Sequence, residues 1–243
     1  MSPRVGIFIQ ARGNSGRLPG KIYEGLPGPG HASMLEHIHG RLSRISGVAI
    51  TAVLAPDGDE RLIRFCRERS IPCVTGPEDD VRSRYRLAAR LYRTDVVMRA
   101  TGDNPCVDPG VAEYTLREFL RQDVDLLSCV NLPLGVAVEV FSREALESDR
   151  VLAEDSHREH VSIHIKRNPR YFKVEHPDYP WMPALEKSPR LTVDTAPDLQ
   201  VVRRAYRELG PNFTLDEVLR LFRKRPELFA GNEHVEQRLV AVG

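Results

Sequence analysis

The chain carries four cysteines, one tryptophan and a net charge of only +1, and no apolar run in it approaches the length of a membrane span. Each shortage removes a class of function. Cys66, Cys73, Cys106 and Cys129 show no CxxC spacing, which removes the usual zinc-ribbon and thioredoxin signals. Cys66 and Cys129 sit in apolar stretches and read as small core residues, while a catalytic Cys106 would need a partner base that the sequence does not place. The balanced charge argues against a general nucleic-acid or membrane-surface binder, since such proteins carry a large basic excess. A spanning helix needs ~20 apolar residues. With none present and Met1-Ser2-Pro3-Arg4 leading into a strand, the expectation is a cytoplasmic protein with neither nucleic acid nor membrane as partner.

At 243 residues, 41% apolar and 28% charged, the chain has the size and composition of a soluble α/β domain. Val5–Ile9 is a continuous apolar run, as a parallel strand covered on both faces requires. Met34, Leu35, Ile38, Leu42 and Ile45 mark one helix face, and Val48–Leu54 is the next strand. Leu62, Ile63, Phe65 and Cys66 belong to a second helix, followed by a short strand at Pro72–Val74. A helical stripe of Val81, Tyr85, Ala88, Ala89 and Tyr92 leads to the strand Val96–Ala100. This rhythm predicts a doubly wound α/β sheet, with ligands beyond the carboxyl ends of its strands. The second half is less regular. Strands are expected at Asp125–Val130, Val136–Phe141, Tyr171–Glu175 and Leu191–Val193. Helices are expected near Arg143–Ala153, His157–Lys166, Asp198–Leu209 and Leu215–Arg225.

The loop after the first strand, Gln10-Ala11-Arg12-Gly13-Asn14-Ser15-Gly16-Arg17-Leu18-Pro19-Gly20-Lys21, holds three glycines and three cations without a carboxylate. Glycines let backbone N–H groups approach an anion, and Arg12, Arg17 and Lys21 can neutralise several negative charges, which suits a triphosphate. It is not a Walker A loop, because Ile22 stands where Ser or Thr is required, and it is not a GxGxxG turn. A solvated surface loop is the plain alternative. Lys21 and Arg12 are the leading cations, and Arg17 is either a third phosphate ligand or a clamp on the loop.

Two carboxylates lie where such a loop would need them. Asp103 follows Thr101-Gly102 at the end of a strand and can reach a phosphate-bound metal, or else simply form a turn with Asn104-Pro105. Asp194 closes Leu191–Val193 and is either a second metal ligand or part of a helix start, where Thr195 caps and Pro197 fits the first turn. Asp198 reads as a first-turn carboxylate. Glu139, acidic within an apolar strand, must face a cleft or meet a cation. His160 and His164 are spaced as zinc ligands can be, but HExxH is absent and a metal-free reading is better.

Five stretches resemble, in order, the nucleotidyltransferases that transfer CMP from CTP. They are the loop above; Asp80-Val81 through Arg84-Tyr85 with Ala88-Ala89; Arg99-Ala100-Thr101-Gly102-Asp103-Asn104-Pro105; Arg158-Glu159-His160-Val161; and Leu191-Thr192-Val193-Asp194-Thr195-Ala196-Pro197-Asp198. The branch they are most similar to is named after a spore-coat polysaccharide biosynthesis protein, related to the 3-deoxy-manno-octulosonate and acylneuraminate cytidylyltransferases. The resemblance implies a three-layer α/β/α fold of the nucleotide-diphospho-sugar transferase type, Rossmann-like, with a mixed but mostly parallel sheet. It implies one domain over residues 1–243, with acceptor-site insertions at about 130–190. Arg12, Lys21 and Asp103 would be catalytic, and Asp103 and Asp194 would hold Mg²⁺. Nucleotide contacts would come from Gln10, Ala11, Arg12, Gly13, Arg17 and Lys21, from Asp80 and Arg84, and from Thr101 and Gly102. Glu139, Arg158, Glu159 and His160 would meet or support a small anionic acceptor, or the last three would pack on a helix surface. Relatives are commonly homodimers.

The chain also departs from that pattern. Ala137 stands where relatives usually carry Asp, Ser83 replaces a common Asp, and Gly13-Asn14 and Gly16 alter the loop, which suggests a different or smaller acceptor. A nucleotide-sugar-dependent glycosyltransferase, which would show a DxD motif not found at the expected strand end, and a non-catalytic nucleotide-binding relative stay open as alternatives.

Overall fold

Ile7 and Ile9 fill one side of the first strand and Phe8 the other, all fully buried, so this strand β1 (Val5–Gln10) is covered on both faces. The computed structural model describes residues 2–151, 160–183 and 187–237. Around β1 run β2 (Val48–Pro56), β3 (Cys73–Gly76), β4 (Val96–Thr101), β5 (Leu126–Leu127), β6 (Glu139–Ser142) and β7 (Val174–Glu175). They form one seven-stranded sheet in the order β3-β2-β1-β4-β6-β5-β7. Among the described residues β6 alone runs against the rest, antiparallel to β4 and β5.

Helices α1 (Met34–Leu42), α2 (Glu60–Glu68) and α4 (Pro109–Arg121) pack their apolar residues with Ile7 and Ile9. Helix α3 (Val81–Leu91), the short α5 (Arg143–Glu147) and Ile165 of α6 (Ile163–Lys166) pack with Phe8 on the opposite face. The expected three layers follow. A third apolar cluster joins Leu191 and Val193 to α7 (Ala196–Leu209) and α8 (Leu215–Lys224). Asp108 ties these parts together, capping α4 through Val111 N–H (2.9 Å) while accepting Leu215 N–H (2.6 Å).

Several elements of the second half are shorter than the sequence predicts. The helix begun at Arg143 stops at Glu147, because the guanidinium groups of Arg82 and Arg86 take the carbonyls of Leu146, Glu147 and Ser148. Val136–Phe141 becomes β6 from Glu139 onward, since Gly135 at φ 103° and Pro133 hold the preceding residues in a turn. Leu191–Val193 is not a strand. Leu191 N–H donates to Leu134 O and Val193 N–H to Asp103 O, both at 2.8 Å, so its bonds go to two loops and not to one ladder. Of the helix expected over 157–166, residues 157–159 lie outside the described residues, and among the rest Ile163–Lys166 is helical.

Candidate active site

Strands β1 and β4 are parallel neighbours, and Gln10 is paired with Thr101 at their carboxyl ends. The loops that leave them therefore start side by side. Gly102 N–H donates to Gln10 O at 2.9 Å, and a Cβ on Gly102 would lie 3.1 Å from that of Ala11, so a side chain there would crowd the two loops. The cationic loop is pinched at its base, where Gly20 N–H donates to Gly13 O at 2.9 Å with Gly20 at φ 74°. A single 3₁₀ turn, Lys21–Tyr23, then carries Lys21 inward.

Lys21 is 7% exposed, and its ammonium is the centre of the site. Nζ donates to Val193 O at 2.6 Å and lies 3.4 Å from Asp194 Oδ1 and 3.7 Å from Asp103 Oδ2. Both aspartates thus face one cation, as a buried charge requires of its surroundings. The convergence is enforced by the backbone: Asp103 O accepts Val193 N–H (2.8 Å) and Thr192 Oγ1–H (3.3 Å). Thr101 Oγ1–H donates to Asp103 Oδ1 at 2.5 Å and fixes that carboxylate, while Asn104 Nδ2–H donates to Thr101 Oγ1.

Arg17 resolves toward the carboxylate end, with Nη2 2.8 Å from Asp194 Oδ1. Arg190, which the motif reading passed over, takes the other oxygen, Nη2 to Oδ2 at 2.7 Å. Its only sequence signal was its place four residues before Asp194, beside the motif. Asp198 does start α7, accepting Thr195 N–H and Thr195 Oγ1–H, but it also accepts Asp194 N–H and Arg190 Nε–H. Burial would raise this carboxyl, yet the bonds from Thr195, Arg190, Asn232 and Asp194 hold it below the ordinary range.

The remaining candidates divide. Arg84 is 4% exposed, and its Nε and Nη1 have no hydrogen-bond partner. Burial pulls this guanidinium below its usual value, and the like charge of exposed Arg12 adds to the effect. Asp80, by contrast, caps α3 through Ser83 N–H at 2.8 Å, and the Gly13 N–H expected to meet phosphate donates to Asp59 Oδ2 at 2.6 Å. Gln10 Oε1 accepts Arg99 Nε–H at 3.2 Å.

Glu139 meets cations, as its burial demanded. It stands opposite Arg99 in the β4–β6 ladder, pairs with Arg99 Nη1 at 3.1 Å and with Lys166 Nζ, and accepts Ser162 Oγ–H at 2.8 Å. Burial opposes its ionised form, yet Arg99 and Lys166 hold the carboxyl down at about 2. The carbonyl of His160 accepts Ile163 N–H, while Arg158 and Glu159 lie outside the described residues. His164 is buried, with Nε2 3.0 Å from Ala145 O and its ring edge-to-face with Phe172. Burial pushes the Cys106 thiol up to about 12, which leaves no thiolate there.

A model of the cytidylyltransferase family matches residues 6–218. Spore coat polysaccharide biosynthesis protein SpsF of Bacillus subtilis is 28% identical over 91% of this chain and 95% of its own. The 3-deoxy-manno-octulosonate cytidylyltransferase 2 of Hydrogenovibrio crunogenus is 29% identical over 49% of this chain and 48% of its own. A solved cytidylyltransferase from Leptospira borgpetersenii superposes with a TM-score of 0.83 at 25% identity, covering 98% of this chain and 100% of that one.

Proposed function

The chain belongs to the cytidylyltransferase family, a family of CTP-dependent nucleotidyltransferases, and from that premise we propose that it joins CMP to an acidic sugar or another small anionic acceptor. An acceptor oxygen attacks the α-phosphorus of CTP, the bond to the β-phosphate breaks, and pyrophosphate leaves. The observation that carries the reading is Lys21 Nζ standing 3.7 Å from Asp103 and 3.4 Å from Asp194 at the carboxyl edge of the sheet.

Such a reaction leaves little covalent work to side chains and depends on positioning and charge. Lys21 is the compact charge for the leaving pyrophosphate, Arg12 adds a second charge from the loop, and Arg17 holds Asp194. Arg84 is proposed to meet the nucleotide, since an unpartnered buried guanidinium is matched by an anionic or carbonyl-rich ligand. Asp103 and Asp194 are two hard oxygen donors turned toward one cation, a set that fits Mg²⁺ with its remaining ligands drawn from phosphates and water. When bound there, the ion would offset negative charge on the phosphoryl oxygens.

The acceptor is proposed to lie toward the stretch of about 130–190, near Glu139 and His160 with Arg158 and Glu159. Both Glu139 oxygens are engaged, so its part is to hold Arg99 and Lys166, which supply charge for an anionic acceptor. Ala137 in place of Asp suits a smaller or less hydroxylated one. No helix among the described residues is long and apolar enough to cross a membrane, and the reading extends to a cytoplasmic homodimer. Trp181, 63% exposed and edge-to-face with Tyr114 and Tyr179, supports such a contact.

Incubation with CTP, Mg²⁺ and a panel of sugar acids, sugar phosphates and phosphonates, read by mass spectrometry, tests the proposal. A CMP conjugate with matching pyrophosphate is expected. No conjugate and no CTP-dependent pyrophosphate across the panel would refute it.

A further inference from the structure

Asp194 does not share its two carboxylate oxygens evenly. Oδ1 faces Lys21 and Arg17, which belong to the loop, whereas Oδ2 is taken by Arg190 at 2.7 Å. We propose that Arg190, held by Asp198 and Asn232, is a positioning residue that locks Asp194 with Oδ1 turned toward Lys21 and the proposed metal position. The proposal rests on the cytidylyl-transfer reading above.

The anchoring is complete at every point. Asp198 has no exposed side-chain surface and accepts five donors: Arg190 Nε, Asn232 Nδ2, Thr195 Oγ1 and the amides of Asp194 and Thr195. Asn232 also donates to the Arg190 carbonyl at 3.1 Å, and Arg190 Nη1 reaches Gln237 Oε1 at 2.8 Å. One guanidinium thereby holds two carboxylates on separate nitrogens of a rigid plane, which fixes the angle of each as the flexible point charge of an ammonium does not. The carboxyl torsion of an aspartate is otherwise broad, so removing Arg190 frees Asp194 to turn Oδ2 toward Lys21. A displacement of about 1 Å at a reacting group costs roughly 100-fold in rate.

A salt bridge serving only the fold would share this geometry, and the recess beside Arg190 separates the two roles. Arg190 and Asn232 line a recess of about 450 Å³, together with Leu132, Leu134, Phe222 and Phe229. A small planar cation can enter the place that a truncated Arg190 would leave.

The test compares wild type with Arg190→Ala and Arg190→Lys. Arg190→Ala is expected to lower kcat roughly 10- to 100-fold, the usual cost of losing a residue that orients a ligand, with KM for CTP little changed. Guanidinium at tens of millimolar (about 50 mM) should restore much of the rate, and methylammonium should not. Arg190→Lys keeps the charge but loses the rigid two-pronged geometry that orients Asp194, so its kcat should also fall about tenfold. Wild-type kcat in Arg190→Lys would overturn the proposal. So would a loss in Arg190→Ala that guanidinium leaves untouched. Mn²⁺ binding in the presence of CTP, read by electron paramagnetic resonance, should weaken roughly tenfold in both variants. That second readout needs no turnover: an inactive wild type would refute the transfer reading, while unchanged Mn²⁺ binding would still refute the role of Arg190.

Discussion

Lys21 Nζ stands 3.4 Å from Asp194 Oδ1 although 173 positions separate the two residues in the chain. The same ammonium donates to Val193 O, so it braces the segment that carries Asp194 as well as charging the site. Lys21→Ala is expected to lower turnover by roughly 10²–10³, the usual effect of removing a donor to developing negative charge. Arg17 and Arg190 still neutralise Asp194, so the loss in stability should stay near 1 kcal/mol. Steady-state kinetics beside urea denaturation checks both numbers, and near-normal turnover would contradict the assignment.

Arg84 makes the opposite trade. A buried guanidinium with Nε and Nη1 unpartnered costs folding free energy. Arg84→Met should raise the stability of the ligand-free protein by about 1 kcal/mol and weaken CTP binding at least tenfold. Thermal unfolding and calorimetry together decide it, since a residue serving only the fold would lower both.

Glu139 makes stability depend on pH. Its folded carboxyl titrates at about 2 against an ordinary 4.5, so the ionised form is favoured in the native state. The stabilisation, about 3 kcal/mol from a depression of this size, is full above pH 4.5 and is lost as pH falls toward 2. Glu139→Gln leaves Arg99 and Lys166 facing a neutral group and should be less stable at pH 7. The gap from wild type should shrink as pH drops from 4.5 toward 2. Denaturation curves for both proteins across that range supply the comparison, and a constant gap would count against the assignment.

Gly135 guards the approach of the Asp194 segment. At φ 103° its position disfavours any side chain, and a Cβ there would lie 2.5 Å from Thr192 N and 2.6 Å from Leu191 C, both backbone atoms. Gly135→Ala should destabilise by about 3 kcal/mol and lower kcat as Asp194 shifts. Gly28→Ala, where nothing lies within 4 Å, is the matched control and should leave both unchanged.

The meeting of Lys21, Asp103 and Asp194 was legible because each sits in a short motif at an element's end, on the edge where parallel-sheet topology gathers loops. The first four strands were legible too, being apolar runs with clean turn signals between them. Arg190 was not, since its task spans two carboxylates through tertiary contacts and an arginine in a proline-flanked stretch reads as ordinary surface. Leu191–Val193 looked like a strand because apolar alternation reports burial, and burial here comes from two loops and α7. Asp59, whose carboxylate occupies the Gly13 amide, left no signal beyond a helix cap.

On this reading Asp103 and Asp194 act on one triphosphate as a unit. The most direct measurement is CTP-dependent pyrophosphate release by Asp103→Ala, Asp194→Ala and the double variant, with the best acceptor and saturating Mg²⁺. Groups that act together are non-additive, so the double variant should be about as slow as the worse single one. Free-energy losses that simply add would place the two carboxylates in separate roles and contradict the account.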